Sequence, residues 1–159
     1  MAAVDAYFSL GSNLGDRQAF LDRALALMQE RLPGVLEAVS RTMETEPVGF
    51  DSPHRFLNLA ARFRLEFPSA EGETEALHVL DICQGIEAEL GKTVREALYD
   101  GDGNRVYEDR PIDIDLIFFG DAVIRHPRLT VPHPRWKERD FVRIPLSEIM
   151  KNSYLCEHK

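Results

Sequence analysis

The pattern of apolar and polar positions along the chain predicts two amphipathic helices. The first begins after Asp16, a helix-capping residue type, and ends before Pro33-Gly34. Its apolar stripe comprises Phe20, Leu21, Ala24, Leu25, Met28 and Leu32. The second opens at Ser69, and its stripe comprises Leu77, Leu80, Cys83, Ile86 and Leu90. Both stripes have the spacing of a helix with one buried face.

Segments with a period of two predict strands around these helices. They are AYFSLGSN before the first helix, VLEAVSRTMET and FLNLAARFRLEF between the helices, and the end of DRPIDIDLIFFG after the second. In the third strand, Phe56, Asn58, Ala60 and Arg62 share one face. The order β-α-β-β-α-β predicts an α+β fold, a split βαβ with two helices on one face of an antiparallel sheet. At the C-terminus, AVIRHPRLTVPHP predicts a short strand pair or an extended arm, and WKERDFVRIPLSEIM predicts a short closing helical segment.

Composition narrows the class of protein. The chain has 159 residues, 44% of them hydrophobic, so we expect one domain spanning residues 1–159. The two cysteines, Cys83 and Cys156, have no metal-ligand spacing, so we expect no disulfide framework and a reducing, cytoplasmic location. The N-terminus lacks signal-peptide features, and no apolar run is long enough to predict a membrane partner. The net charge of −8 argues against general binding to nucleic acid.

Asp113 and Asp115 are the candidate metal-binding residues. Two positions apart on a strand, they present their carboxylates on one face while Ile112, Ile114 and Leu116 face the core. Neighbouring like charges are costly unless a cation joins them, and Mg²⁺ prefers oxygen ligands. Taken alone, such a pair also fits a solvated strand face. Mg²⁺ would suit phosphoryl transfer or metal-dependent hydrolysis.

Two glycine-containing segments leave alternatives open. LGSNLGD places two glycines before a helix, which fits either a phosphate-binding nest or a tight strand-to-helix turn. No Gly-x-x-x-x-Gly-Lys-Ser/Thr motif is present. Residues 92–111 contain turn signals and little periodicity, which is typical of a binding loop or lid.

Five motifs occur together in this order: FSLGSNLGDR, ETEPVG, FLN, DRPIDIDLIFFG and RLTVPHPRWKERDFVRIPL. With these motifs the chain resembles the 6-hydroxymethyl-7,8-dihydropterin pyrophosphokinases of folate biosynthesis, over residues 6 to 149. The resemblance implies a ferredoxin-like fold and transfer of pyrophosphate from ATP to the pterin hydroxymethyl group, with release of AMP. It further implies two Mg²⁺ ions and mobile catalytic loops, and we expect the 92–111 loop to close when ATP and the pterin are both bound. We also expect a monomer whose partners are ATP and the pterin and include no nucleic acid.

Site residues follow from the resemblance, position by position. Asp113 and Asp115 would hold both metal ions. The residues expected to act in catalysis are Arg110, Arg139, Lys92 and Arg95. The residues expected to contact ATP are Gln84, Glu87, Arg110, Leu116, Arg128, Thr130, His133 and Arg139. The residues expected to bind the pterin are Thr45, Val48, Phe56, Asn58 and Phe141.

Some of these positions also have plain structural interpretations. Phe56 and Phe141 fit ordinary core packing, and His133 fits a turn between two prolines. Asn58 is harder to explain in a core, because a buried amide needs hydrogen-bonding partners. An RNA-recognition module would share the split βαβ fold, but it calls for a basic sheet face with exposed aromatic residues.

The chain departs from the family pattern in the 92–111 loop. Glu108-Asp109 stands where Gly-Pro is common before Arg110, and Tyr107 replaces a tryptophan. The basic pair that usually follows the second helix becomes Lys92 and, with an offset, Arg95.

Overall fold

The described part of the chain forms an antiparallel sheet with three helices packed on it. A computed structural model describes residues 2–46, 54–68, 72–91 and 111–151. The strands are β1 (Ala2–Ser12), β2 (Gly34–Val39), β3 (Met43–Thr45), β4 (Phe56–Phe67), β5 (Asp113–Phe119), β6 (Ile124–His126) and β7 (Leu129–Val131). The helices are α1 (Arg17–Arg31), α2 (Glu73–Glu89) and α3 (Asp140–Ile149). The α+β fold predicted from the sequence is confirmed.

The main sheet has the strand order β2-β4-β1-β5, and β3 also pairs with β4. All of these pairings are antiparallel. The segment predicted as one strand, VLEAVSRTMET, forms the two strands β2 and β3. Between them the Ser40 hydroxyl accepts a hydrogen bond from the Ala60 N–H at 2.8 Å, in place of a backbone carbonyl. This side-chain bond accompanies the break in the ladder. The predicted C-terminal strand pair is confirmed as β6 and β7.

Helix α1 has the predicted start and stripe. The Asp16 carboxylate accepts a hydrogen bond from the Ala19 N–H at 3.1 Å, which caps the first turn. Leu21, Ala24 and Met28 are fully buried. Before α1 the backbone turns at Gly15, whose φ of 66° lies in the left-handed region that favours glycine. The second glycine of LGSNLGD therefore serves a tight strand-to-helix turn.

Helix α2 begins at Glu73 after Gly72; the predicted start, Ser69, lies outside the described residues. The buried face of α2 is rotated slightly about the helix axis from the apolar stripe predicted for it. Cys83, Ile86 and Leu90 are buried as expected, whereas Leu77 and Leu80 are only partly buried. Ala76 and Val79, which were not part of the predicted stripe, are fully buried.

The two faces of the sheet have different coverings. Helices α1 and α2 pack on the face that carries Phe8, Leu10 and Phe63, as predicted. Helix α3, expected only as a closing segment, packs on the opposite face against Tyr7 and Phe118. The closing segment, for which no face was predicted, thus covers the second face of the sheet, because α3 has its own strongly apolar side to bury. No helix in the described ranges is long and apolar enough to cross a membrane.

Candidate functional site

Polar residues from three neighbouring strands form rows on the sheet face that α3 packs against. Gly11 of β1 pairs with Asn58 of β4 on one side and with Asp113 of β5 on the other. One step along, Ser9 pairs with Asp115. Because residues two apart on a strand share a face, Asp113 and Asp115 lie side by side, roughly 6.6–6.8 Å apart along β5. The sheet register thus brings the amide and both carboxylates together.

A narrow slot opens above this row. Its lining comes from β1, β3, β4, β5 and the start of α3: Ser9, Gly11, Thr45, Glu46, Phe56, Asn58, Asp113, Asp115, Arg139 and Phe141. Asn58 is 3% exposed, and its Nδ2 donates a hydrogen bond to the Thr45 hydroxyl at 2.9 Å. Its Oδ1 faces Gly11, where a Cβ would lie only 2.8 Å from that oxygen. Gly11 therefore keeps the floor of the slot open.

A wider cleft of about 550 Å³ lies on the other side of β5. Its lining comes from α2, β5, β7 and the segment that leads to α3: Leu80, Gln84, Glu87, Asp113, Ile114, Asp115, Leu116, Arg128, Leu129, Thr130, His133, Pro134, Arg135 and Arg139. Arg128 donates hydrogen bonds to Asp81 at 2.5 Å and to Gln84 at 3.1 Å. The cleft combines apolar walls with several cationic side chains, which suits an anionic ligand with an apolar part.

The slot and the cleft share a wall made of three residues. Asp113, Asp115 and Arg139 line both cavities. The Arg139 guanidinium also lies 5.7 Å from the centre of the Phe141 ring, within the range of a cation–π contact. A molecule in the slot and a molecule in the cleft would therefore meet at the two carboxylates.

Glu87 supports the strand that carries these carboxylates. Its side chain is 7% exposed, and its Oε2 accepts a hydrogen bond from the Ile114 N–H at 2.9 Å. Ile114 lies between Asp113 and Asp115 on an edge strand. The buried carboxylate thus satisfies an outward-facing backbone amide and holds the segment between the two aspartates in place.

Burial changes the acid–base behaviour of two groups near the cleft. Burial, together with the positive charge of Arg139, lowers the pKa of His133, although Asp113 acts in the opposite direction. His133 is therefore neutral near pH 7. Burial raises the pKa of the Cys83 thiol far above its usual value, and the negative charge of Glu87 adds to this effect. Cys83 is thus an inert core residue.

The donor set at the shared wall fits a hard divalent cation. Two carboxylates side by side supply oxygen ligands, and Mg²⁺ in proteins commonly takes one or two carboxylates together with waters and substrate phosphates. Among the residues that the structure describes, no cluster of three or more His, Cys, Asp or Glu side chains forms a closed metal cage. Because two carboxylates fill only part of the coordination shell of Mg²⁺, the pair suits an ion that also binds waters and phosphate oxygens.

Most of the residues proposed from the sequence lie in these two cavities. The slot holds Thr45, Phe56, Asn58 and Phe141, and the cleft holds Gln84, Glu87, Leu116, Arg128, Thr130 and His133. Asp113, Asp115 and Arg139 lie between them. Val48, Lys92, Arg95, Arg110 and Cys156 lie outside the described residues, as does the 92–111 loop apart from Pro111.

Sequence reasoning missed several lining residues, among them Ser9, Gly11, Glu46 and Arg135. Ser9 and Gly11 alternate along β1 in the same way as Asp113 and Asp115 along β5. That alternation was visible in the sequence, but the pairing of β1 with both β4 and β5 was needed to place them in the slot.

Comparisons with known proteins agree on one family. The sequence profile of the 7,8-dihydro-6-hydroxymethylpterin-pyrophosphokinase family matches residues 7–151. A 2-amino-4-hydroxy-6-hydroxymethyldihydropteridine pyrophosphokinase from Porphyromonas gingivalis is 44% identical over 144 residues, which cover 90% of this chain and 88% of that protein. The enzyme of that name from Bacillus subtilis is 38% identical, covering 91% and 77%. A mitochondrial folate synthesis bifunctional protein from Pisum sativum is 36% identical, covering 89% of this chain and 24% of that protein.

Proposed function

This chain belongs to the 7,8-dihydro-6-hydroxymethylpterin-pyrophosphokinase family of folate biosynthesis (EC 2.7.6.3), and from that premise we propose its reaction. The hydroxymethyl oxygen of 6-hydroxymethyl-7,8-dihydropterin attacks the β-phosphorus of ATP. The bond from that phosphorus to the oxygen bridging the α and β phosphates breaks, AMP leaves with that oxygen, and the hydroxyl proton passes to water. The observation that supports this proposal most strongly is the wall of Asp113, Asp115 and Arg139 shared by two cavities of different character.

The slot suits the pterin. Phe56 and Phe141 both line it, and aromatic side chains favour stacking on a flat heterocycle. Asn58 is held by its bond to Thr45, so its Oδ1 is fixed in the slot as an acceptor for ring N–H groups. A preoriented buried amide selects for a ligand with a matching polar edge, because a ligand without it would leave the amide unpaired.

The cleft suits the nucleotide. Arg128, Arg135 and Arg139 supply positive charge to the cleft, and three carboxylates of its lining match them in number. Attraction of a triphosphate would therefore come from the guanidinium groups together with the Mg²⁺ that the two aspartates would hold. Planar guanidinium groups match phosphate oxygens well. Arg139 lies at the shared wall, where it can balance negative charge that develops as the β-phosphorus is transferred.

Asp113 and Asp115 would hold two Mg²⁺ ions together with the phosphates of ATP. When bound, Mg²⁺ supplies charge neutralisation and orientation of the reacting phosphorus. The residues of the chain position the reactants. Glu87 holds β5 in place through the Ile114 amide, and the slot fixes the pterin. Bringing both reactants to one wall makes the transfer effectively intramolecular.

We also propose that the chain works as one domain and as a monomer in the cytoplasm. Light scattering coupled to size-exclusion chromatography would test the oligomeric state.

The products of turnover distinguish a pyrophosphokinase from a metal-dependent hydrolase. Purified protein with ATP, Mg²⁺ and 6-hydroxymethyl-7,8-dihydropterin should give AMP and pterin diphosphate in equal amounts, and no AMP when the pterin is omitted. Formation of ADP and phosphate, independent of the pterin, would instead indicate a hydrolase. Absence of any nucleotide product would contradict both functions.

A further inference from the structure

Arg17, the first residue of α1, contacts both β3 and the residue that precedes β4. Its Nη2 contacts the Glu44 carboxylate of β3 at 2.7 Å. Its Nη1 donates a hydrogen bond to the backbone carbonyl of Arg55, just before β4, at 2.9 Å. The planar fork of a guanidinium can make both contacts together, whereas an ammonium group provides only a single point of charge. Arg17 does not itself line the slot or the cleft.

Both partners of Arg17 immediately precede a residue of the slot. Glu44 precedes Thr45, and Arg55 precedes Phe56. Thr45 and Phe56 are register partners in the β3–β4 pairing. Because successive residues of a strand point to opposite faces, a contact to Glu44 on one side of β3 fixes Thr45 on the other. Thr45 in turn accepts the hydrogen bond that orients Asn58.

Further contacts surround Arg17 where the start of α1 meets the end of β3 and the start of β4. Asn13, in the turn before α1, donates a hydrogen bond to the His54 carbonyl at 3.3 Å. The Arg55 guanidinium contacts Glu44 at 3.5 Å and Glu46 at 2.9 Å. The start of α1 is thus tied to both strand ends that flank residues 47–53.

We propose that Arg17 is a positioning residue for the pterin slot: it sets the relative position of Thr45 and Phe56 by holding Glu44 and the Arg55 carbonyl. This role rests on the proposed function, because it assumes that the slot binds the pterin. It adds a residue outside the cavity to those that determine pterin affinity.

The Arg17 contacts should affect the slot more than the stability of the fold. The side chains of Arg17 and Glu44 are 31% and 42% exposed, and ion pairs at that level of exposure contribute little to global stability. The hydrogen bond and charge of Arg17 nevertheless hold the pKa of Glu44 below its ordinary value. The Glu44 carboxylate is therefore engaged with Arg17 at neutral pH.

The test compares Arg17→Met with Arg17→Lys and with the control Arg31→Met. Arg31 is a suitable control because it lies at the other end of α1, has a similarly exposed side chain (36%), and pairs with Glu89 far from the slot. For each protein we would measure kcat, KM for both substrates, the melting temperature, and the pterin Kd with the non-cleavable α,β-methylene analogue of ATP present.

Arg17→Met should raise the pterin KM and Kd roughly five- to tenfold, about 1–1.4 kcal/mol. The ATP KM and kcat should stay within about twofold of wild type, and the melting temperature should match that of Arg31→Met. Arg17→Lys should recover part of the lost affinity, because it keeps the charge but not the fork. In Arg17→Met, the Glu44 pKa measured by NMR should rise towards its ordinary value.

Different results would overturn different claims. If wild type turns over and Arg17→Met binds the pterin as wild type does, the positioning role is wrong and the proposed function stands. Equal weakening of both substrates, with a lower melting temperature than Arg31→Met, would also overturn it, since Arg17 would then only stabilise the fold. If wild type neither turns over nor binds the pterin, the proposed function fails, and the positioning role fails with it.

Discussion

Replacing Gly11 with alanine should weaken pterin binding and leave nucleotide binding intact. Gly11 lies between Asn58 and Asp113 on the floor of the slot. A Cβ at this position would be 2.8 Å from Asn58 Oδ1 and 3.5 Å from Phe56 Cδ1. The first distance is too short for two non-bonded atoms, so the Asn58 amide must move.

The expected loss follows from the surroundings of Asn58. Its side chain is 3% exposed and bonded to Thr45 at 2.9 Å, so a displaced amide loses a buried hydrogen bond. Leaving a buried polar group unpaired costs about 1–3 kcal/mol. When that free energy is lost from the protein–pterin complex, the pterin Kd rises by roughly 5- to 150-fold.

Gly85→Ala is the matched control for this substitution. Gly85 lies within α2, and a Cβ there would have no atom within 4 Å. Alanine at this position should therefore stabilise the fold slightly, by about 0.4–1 kcal/mol. Pterin affinity should be unchanged.

A double-mutant cycle identifies the cause of the Gly11→Ala effect. Pterin Kd, measured by calorimetry with the α,β-methylene analogue of ATP present, would be compared for Gly11→Ala, Asn58→Ala and the double variant. Because Asn58→Ala removes the clashing oxygen, Gly11→Ala should add little to it. Fully additive effects, or an unchanged Kd in Gly11→Ala, would refute the reasoning.

Three further predictions concern single groups of the site. Asp113→Ala or Asp115→Ala should lower kcat at least about 100-fold, about 2.7 kcal/mol, because each removes a carboxylate that would hold Mg²⁺, while circular dichroism should still show a folded protein; wild-type turnover at ordinary Mg²⁺ would contradict the metal assignment. Asn58→Ala should weaken pterin binding by about 1–3 kcal/mol with little change in ATP affinity, and equal weakening of both ligands would indicate a structural role. Cys83 should not react with iodoacetamide in the folded protein, as judged by peptide mapping, because burial raises its pKa; rapid labelling would show that the α2 face is accessible.

Local sequence signals were sufficient for much of the fold. The capping carboxylate of Asp16 and the stripe of α1 are properties of a single turn and a single helix face. The alternation along β4 correctly placed Asn58 on the face of the sheet opposite Leu59 and Ala61, because strand geometry fixes the period. The neighbouring positions of Asp113 and Asp115 follow from the same rule.

Features that depend on contacts between distant segments could not be predicted in this way. The break between β2 and β3 involves Ser40 bonding to Ala60, twenty residues away. The packing of α3 on the opposite face depends on which apolar surface remains after α1 and α2 have covered the first. The shared wall joins β5 to Arg139 at the start of α3, and no local pattern specifies that meeting.

The central claim is that the pterin and the nucleotide meet at Asp113 and Asp115. The most direct measurement is a crystal structure with 6-hydroxymethyl-7,8-dihydropterin, the α,β-methylene analogue of ATP, and Mn²⁺ in place of Mg²⁺, with manganese located by anomalous scattering. We expect manganese within coordination distance of both carboxylates, the pterin ring beside Phe56 and Asn58, and the triphosphate reaching the metal from the cleft. Manganese bound elsewhere, or a pterin outside the slot, would contradict this claim.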